Sequence, residues 1–300
     1  MQRIASWFAR FDGPTLVVAA VIYAWWFALV WFHALIPWWA MLPMGAYLIA
    51  WHFSLQHEAI HAFRRVPDGL RVAVVYPPIG LWFPFPLYYE SHRIHHRNTY
   101  LSYPGQDTET AYIKSEDWAA MGPLARGLLT ANQTMLGKLT LGPFIRLWRL
   151  AKREAALVRQ GDCSHVRSWC IHGVWLAVLV YFVSGLAGMP FWQYIVLIAF
   201  PGMSLGFVRA FAEHRAAPRP GQRTAHTESN WVWSLLWLNN NLHVAHHLRP
   251  SIPWYELPAF CREHRAKLLE HNGGFLWRGY GEIFRRFLLR PVFLPRHPFK

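Results

Sequence analysis

Four long apolar stretches set the pattern of the chain. The first runs from Leu16 to Trp31 (LVVAAVIYAWWFALVW) and continues to Ile36. The second runs from Pro37 to Phe53, the third from Cys170 to Leu186 and the fourth from Phe191 to Val208. None carries an acidic or basic side chain at its centre. A hydrocarbon layer about 30 Å thick calls for about 20 such residues in a helix. The pattern therefore predicts four transmembrane helices, over about 15–35, 37–56, 169–187 and 191–211. The joints at Leu35–Trp38 and Ser184–Pro190 are short, uncharged and rich in Trp, Gly or Pro, as hairpin turns at one membrane face are. A fifth apolar stretch, Val72–Tyr89 (VAVVYPPIGLWFPFPLYY), contains four prolines. Proline removes a backbone donor and clashes with the preceding turn. Residues 72–89 are thus expected to be re-entrant or interfacial, not a fifth span. What remains, 90–167 and 212–300, is expected to form a helical cap. Within it, Asp117 to Leu157 reads as amphipathic helices with Trp118 and Trp148 among basic residues, suited to a membrane surface. The whole of 1–300 is expected to be one all-α membrane domain, a four-helix stem under that cap.

Composition agrees and adds orientation. The chain is 54% hydrophobic and only 15% charged, against about 25% charged in soluble domains. The net charge of +14 raises the question of nucleic acid, but the basic residues flank apolar runs, so anionic lipid is the simpler partner and no nucleic acid is expected. Eleven Lys and Arg lie between Arg93 and Arg167 and thirteen from Arg215 to Lys300; Arg3 and Arg10 precede the first span, and the two hairpin turns have none. The positive-inside rule then places both termini and the central region in the cytoplasm, in a bacterial inner membrane. The first apolar stretch has only a weak basic start and a second follows at once, which is unlike a cleaved signal. Cys163, Cys170 and Cys261 form no metal or disulfide pattern.

The chemistry lies in the histidines. Of 17, eight fall in three groups: His57 and His61 in HEAIH, His92, His95 and His96 in HRIHH, and His243, His246 and His247 in HVAHH. Positions i, i+3 and i+4 share one helix face, so each group presents its imidazoles in one direction. HEAIH alone matches the HExxH zinc-hydrolase pattern, with Glu58 as water-activating base. Eight imidazoles exceed the four ligands of a tetrahedral zinc. They suffice for two metals with five or six ligands each. Attack on an inert C–H bond in a lipid needs activated oxygen, which iron supplies and zinc does not.

Together HEAIH, HRIHH and HVAHH resemble the three histidine boxes of the integral-membrane fatty acid desaturase and hydroxylase superfamily, over roughly residues 40 to 260. RIHHRNTYLSYPGQDTE is similar to that family's second box with its downstream Asp-x-Glu, HVAHHLRPSIPWYELP to the third box, and RAFAEHR to an extra ligand position. The resemblance implies a di-iron site held by His57, His61, His92, His95, His96, His243, His246 and His247, with His214 as ninth ligand. It implies that Asn239 or Asn240 holds a metal-bound water. Glu58 then loses the catalytic role and, with Asp107 and Glu213, supports imidazoles; the wider pool of such carboxylates includes Glu90, Glu109 and Glu228. It implies two iron ions as cofactor, a lipid or acyl substrate, and an external electron donor such as ferredoxin or a reductase, since no His-Pro-Gly-Gly heme segment occurs. Acyl desaturation is the leading expectation. Acyl or alkane hydroxylation comes second and carotenoid modification third, because one site serves all three and substrate placement decides. From other classes, an intramembrane zinc hydrolase predicts one tetrahedral zinc with Glu58 at the metal. A non-catalytic metal-binding protein predicts ionisable residues inside the spans.

Overall fold

The computed structural model describes residues 11–97 and 99–299. Arg3, Arg10 and Lys300, which entered the charge argument, lie outside the described residues. The fold is all-α apart from one short parallel pair, β1 (His226–Thr227) with β2 (Leu276–Trp277). The helices in chain order are α1 (Gly13–Trp31), α2 (Trp38–His61), α3 (Asp68–Val75), α4 (Phe85–Arg97), α5 (Ser115–Ala120), α6 (Pro123–Ala131), α7 (Met135–Thr140), α8 (Gly142–Arg159), α9 (Val166–Leu186), α10 (Phe191–Glu213), α11 (Trp231–Leu236), α12 (His243–Leu248), α13 (Leu257–His271) and α14 (Tyr280–Phe287). Contacts divide the chain into two compact units, Met1–Tyr89 with Arg146–Gly206, and Glu90–Ile145 with Phe207–Lys300.

The first unit contains the spanning helices. Among the described residues, α1, α9 and α10 are long and apolar enough to cross a membrane. Val174, Val178 and Tyr181 on α9 are exposed, as lipid-facing side chains are. Helix α2 is the longest of all at 24 residues, about 36 Å at 1.5 Å per residue. It falls short of the other three in apolar character because its last turns carry His52, Gln56, His57, Glu58 and His61. Helices α9 and α10 each contain a π-helical stretch, Tyr181–Leu186 and Ile195–Ala199. The second of these packs against α2 through glycine. A Cβ on Gly45 would stand 2.7 Å from the Leu197 carbonyl oxygen and 2.8 Å from Ile198 Cα, and one on Gly202 would overlap the Ile49 side chain. Small residues at such contacts let membrane helices approach backbone to backbone, where packing replaces the missing hydrophobic drive.

The proline-rich stretch is not one helix. Its ends join α3 and α4, and residues 76–84 between them are irregular. Carbonyls left bare by the broken helix are met by side chains from elsewhere in the same unit. Tyr23 donates to Val74, Gln56 Nε2 to Val75 at 2.8 Å, Tyr194 to Ile79 at 2.6 Å, and His172 Nε2 lies 2.7 Å from the Leu81 oxygen. Tyr194 in turn accepts from Trp26 Nε1 at 2.8 Å. Bare backbone groups cost several kcal/mol away from water, so each such bond fixes the segment.

In the second unit, α12 packs its Val244 and Ala245 against Leu257, Cys261 and Leu268 of α13, which leaves its histidines on the other face. Substitution separates the two kinds of glycine. Gly202→Ala, forced against Ile49, is expected to lose about 1–3 kcal/mol of stability and most of the folded yield. Gly69→Ala, with nothing within 4 Å of its added carbon, is expected to be neutral. Thermal unfolding of the detergent-solubilised variants checks this.

Candidate metal centre

Three histidine-bearing segments meet within the second unit. Helix α4 carries His92, His95 and His96, and α12 carries His243, His246 and His247. His214 follows the last residue of α10. There the chain turns back on itself, with His214 bridged to Thr224 and the Arg215 N–H donating to the Arg223 carbonyl at 3.0 Å. The ligand atoms of His95, His214, His243 and His247 all lie within 4.8 Å of one another, as do those of His92, His96 and His246. In the first unit the ligand atoms of His57 and His61 are equally close, with ring centroids 5.2 Å apart on successive turns of α2.

Hydrogen bonding fixes which nitrogen faces inward. His95 Nδ1 lies 2.8 Å from Asp107 Oδ1. His214 Nδ1 lies 3.3 Å from the Arg223 carbonyl oxygen. His243 Nδ1 lies 3.1 Å from Asn240 Oδ1 and 3.4 Å from Glu213 Oε1. These partners are acceptors, so Nδ1 carries the proton in each ring and a neutral ring leaves Nε2 with a bare lone pair. Yet Nε2 of His214 stands 3.1 Å from Nε2 of His95 and 3.0 Å from Nε2 of His243, and His247 Nε2 stands 3.1 Å from His243 Nε2. His246 Nε2 and His96 Nε2 are 3.2 Å apart. Converging lone pairs repel unless a cation lies among them. Metal–nitrogen bonds of about 2.1 Å give nitrogen separations of about 3.0 Å for ligands at right angles and about 3.4 Å for a tetrahedron. The observed spacing suits an ion with five or six ligands better than tetrahedral zinc.

The electrostatics fit the same role. Burial drives the pKa of His214 down to about 3, helped by neighbouring His95. His243 and His247 are pushed well below the usual imidazole value, first by burial and then by the surrounding imidazoles. Burial likewise lowers His92, against the pull of Glu109. These rings are neutral near pH 7, with no proton for a metal to displace. His95 differs. Burial is the largest single influence and acts downward, but Glu109, Asp107 and Glu213 together outweigh it and raise its pKa. Asp107 is held low, because the bond to His95 and the Glu109 N–H outweigh its burial.

The sequence-predicted supporting residues divide. Asp107, Glu213 and Asn240 touch cluster histidines as described. Asn239 sits at φ 57 and gives its amide to the Trp254 carbonyl at 2.8 Å. Glu58 is buried on α2 but is not among the described residues whose ligand atoms gather. Glu228 pairs with Arg265 at 2.6 Å and Glu90 is exposed. Glu109, named only in the wider pool of carboxylates, has its Oε1 3.1 Å from His92 Nδ1. The signal was the Asp-x-Glu spacing: Asp107 and Glu109 alternate along one loop and back His95 and His92 in turn. Of the histidines outside the three groups, His165 pairs with Glu154 at 2.9 Å and His52 lies 3.3 Å from the Tyr23 hydroxyl, neither of them in a described cluster.

Residues 34–279 match the family model described as fatty acid desaturase. The chain belongs to the fatty acid desaturase family. No curated protein matches it significantly. Membership makes this desaturase-family protein a membrane-bound oxidoreductase of the di-iron class, and its histidine clusters are compatible with a two-metal centre. Asp107→Asn keeps the size of the side chain but weakens its hold on the His95 N–H. It is expected to lower metal affinity about 10–100-fold, measured by chelator competition on purified protein.

Proposed function

We propose that the protein is an O2-dependent, di-iron desaturase that introduces a double bond into a fatty acyl chain. The convergence of Nε2 atoms, with the rings of His95, His214 and His243 each backed by an acceptor at Nδ1, is the observation that supports it most. In this reading the nine histidines His57, His61, His92, His95, His96, His214, His243, His246 and His247 are the ligands of the two irons. When bound, the irons supply the oxidising power that breaks an unactivated C–H bond. The protein residues do the rest. Asp107, Glu109, Glu213 and Asn240 fix the tautomer and direction of the imidazoles. The apolar interior excludes water from a reaction that water would quench.

The overall balance is CH2–CH2 + O2 + 2e⁻ + 2H⁺ → CH=CH + 2H2O, with electrons from a separate carrier such as ferredoxin or a reductase. Hydroxylation uses the same site and donor, and substrate placement chooses between the outcomes. The thirteen Lys and Arg from Arg215 to Lys300 suit an anionic head group or lipid surface. With α2 counted beside α1, α9 and α10, the spans number four. The positive-inside pattern then puts the cap and both termini in the cytoplasm of a bacterial inner membrane.

Metal analysis and product analysis test this together. Two irons per chain are expected, with oxygen consumed when the reduced protein meets air. Expression in a host of defined lipid profile should yield a new acyl double bond. A single zinc with no oxygen uptake would overturn the reading, and a hydroxylated product would move it to the second reaction. Within the first box, Glu58→Gln should keep both metals and measurable turnover, whereas His61→Ala should lose metal and nearly all turnover. Loss of turnover in the glutamine variant with one zinc bound would restore the hydrolase.

A further inference from the structure

The loop over 99–113 carries both carboxylates that back α4: Asp107 on His95 and Glu109 on His92. Short-range bonds shape the loop, among them Thr110 Oγ1 donating to the Ser102 carbonyl at 2.7 Å and the Glu109 N–H to Asp107 Oδ1 at 2.9 Å. The loop has no helix or strand, and Ser102 adopts φ 74, a left-handed conformation that a serine rarely takes and that its surroundings must enforce. Two further bonds set Asp107 within the turn. The Asp107 N–H donates to the Tyr103 carbonyl at 2.9 Å, and the Ser102 N–H donates to Asp107 Oδ2 at 2.8 Å.

A distant segment of the same unit lies along this loop. The Ile113 N–H donates to the Pro295 carbonyl at 2.8 Å and the His297 N–H to the Ile113 carbonyl at 2.9 Å, a one-residue parallel bridge. The His297 ring is 2% exposed. Its centroid lies 4.2 Å from that of Tyr103 and 5.2 Å from that of Tyr112. Arg223 covers the loop too, its guanidinium 4.9 Å from the Tyr103 ring centroid and donating to the Thr99 carbonyl at 2.9 Å. Upstream, the segment is anchored by the Val292 N–H on the Gln133 carbonyl at 2.9 Å and by the Leu136 N–H on the Leu288 carbonyl at 3.0 Å. Phe293 lines a cavity of about 50 Å³ that Ser102, Glu109 and His214 also line. A space of that size holds roughly three or four waters.

We infer that residues 288–299 are a strap that positions the metal-backing carboxylates, with His297 as its principal positioning residue, acting through Tyr103 on Asp107. The inference rests on the metal-centre reading above. The strap holds Tyr103, Tyr103 holds the turn at Asp107, and Asp107 holds the His95 N–H. Phe293 closes the cavity beside Glu109 and His214. Nothing in the strap touches the clustered nitrogens, so its effect on metal is indirect.

Co(II) titration of the purified full chain, followed by its visible d–d bands, tests the inference. His297→Ala is expected to weaken Co(II) binding roughly tenfold, the lower end for removing support behind a ligand, and to alter the bands while the protein stays folded by circular dichroism. Leu294→Ala, on the same strap but 69% exposed, should change nothing. The decisive comparison is a double-mutant cycle. If His297 acts through Asp107, adding His297→Ala to Asp107→Asn costs little beyond Asp107→Asn alone. Additive losses, or unchanged binding in His297→Ala, overturn the strap. Should His297→Ala fail to fold, Tyr103→Leu removes the loop half of the same ring pair and is read in the same way. A wild-type protein that binds no Co(II) would sink the metal-centre reading itself, a different result from a wild type that binds and a variant that does not differ.

Discussion

The second unit is organised around a convergence of imidazole nitrogens. Several imidazole lone pairs face one another about 3 Å apart in a buried volume, with their protons committed outward to carboxylates, an amide oxygen and a carbonyl. In water such rings would turn away or take up protons. Here burial opposes protonation of His214, His243 and His247, and the outward bonds oppose turning. The arrangement is compatible with a metal ion at its centre, and the chain commits its imidazole nitrogens to that meeting point. The rest of the second unit follows from that commitment. The return of the chain after α10 presents His214, and the apolar back of α12 turns its three histidines inward.

Much of this was legible in the sequence for a reason that is local. A metal ligand pair on a helix must recur at i+3 or i+4, so HEAIH, HRIHH and HVAHH announce themselves within five residues each. Apolar runs announce spans in the same way. Helix α2 shows where the two signals collide. Its length suits a span, but the ligand-bearing turns at its end dilute the apolar composition that marks one. The broken helix at Val72–Tyr89 was also readable, because proline acts on its own backbone.

What was not legible depends on residues far apart in the chain. His214 has no partner at ligand spacing, and only the family resemblance pointed to it; the structure sets it between His95 and His243. Asp107 and Glu109 look alike in sequence, and which imidazole each one backs is set by the path of the loop. Asn239 and Asn240 are adjacent and chemically identical. One turns to the Trp254 carbonyl and the other to His243, because Asn239 occupies a left-handed turn. The pairing of Ile113 with Arg296 joins residues more than 180 positions apart, and no local pattern encodes it. The same holds for Gly45 and Gly202, whose purpose appears only when the opposing helix is in place.

The side chains that satisfy the proline-rich segment also impose an order on biosynthesis. The Leu81 carbonyl takes its partner from a residue 91 positions later, and the Ile79 carbonyl from one 115 positions later. At a synthesis rate of about 5–20 residues per second, those oxygens wait roughly 5 to 20 seconds before His172 and Tyr194 exist. During that interval lipid offers them nothing. The segment reaches its observed bonding only after α9 and α10 have been made. Helices α1 and α2 and the proline-rich segment therefore cannot settle as a finished half. Packing of this unit waits on the late helices, and a chain interrupted before His172 would lack both partners.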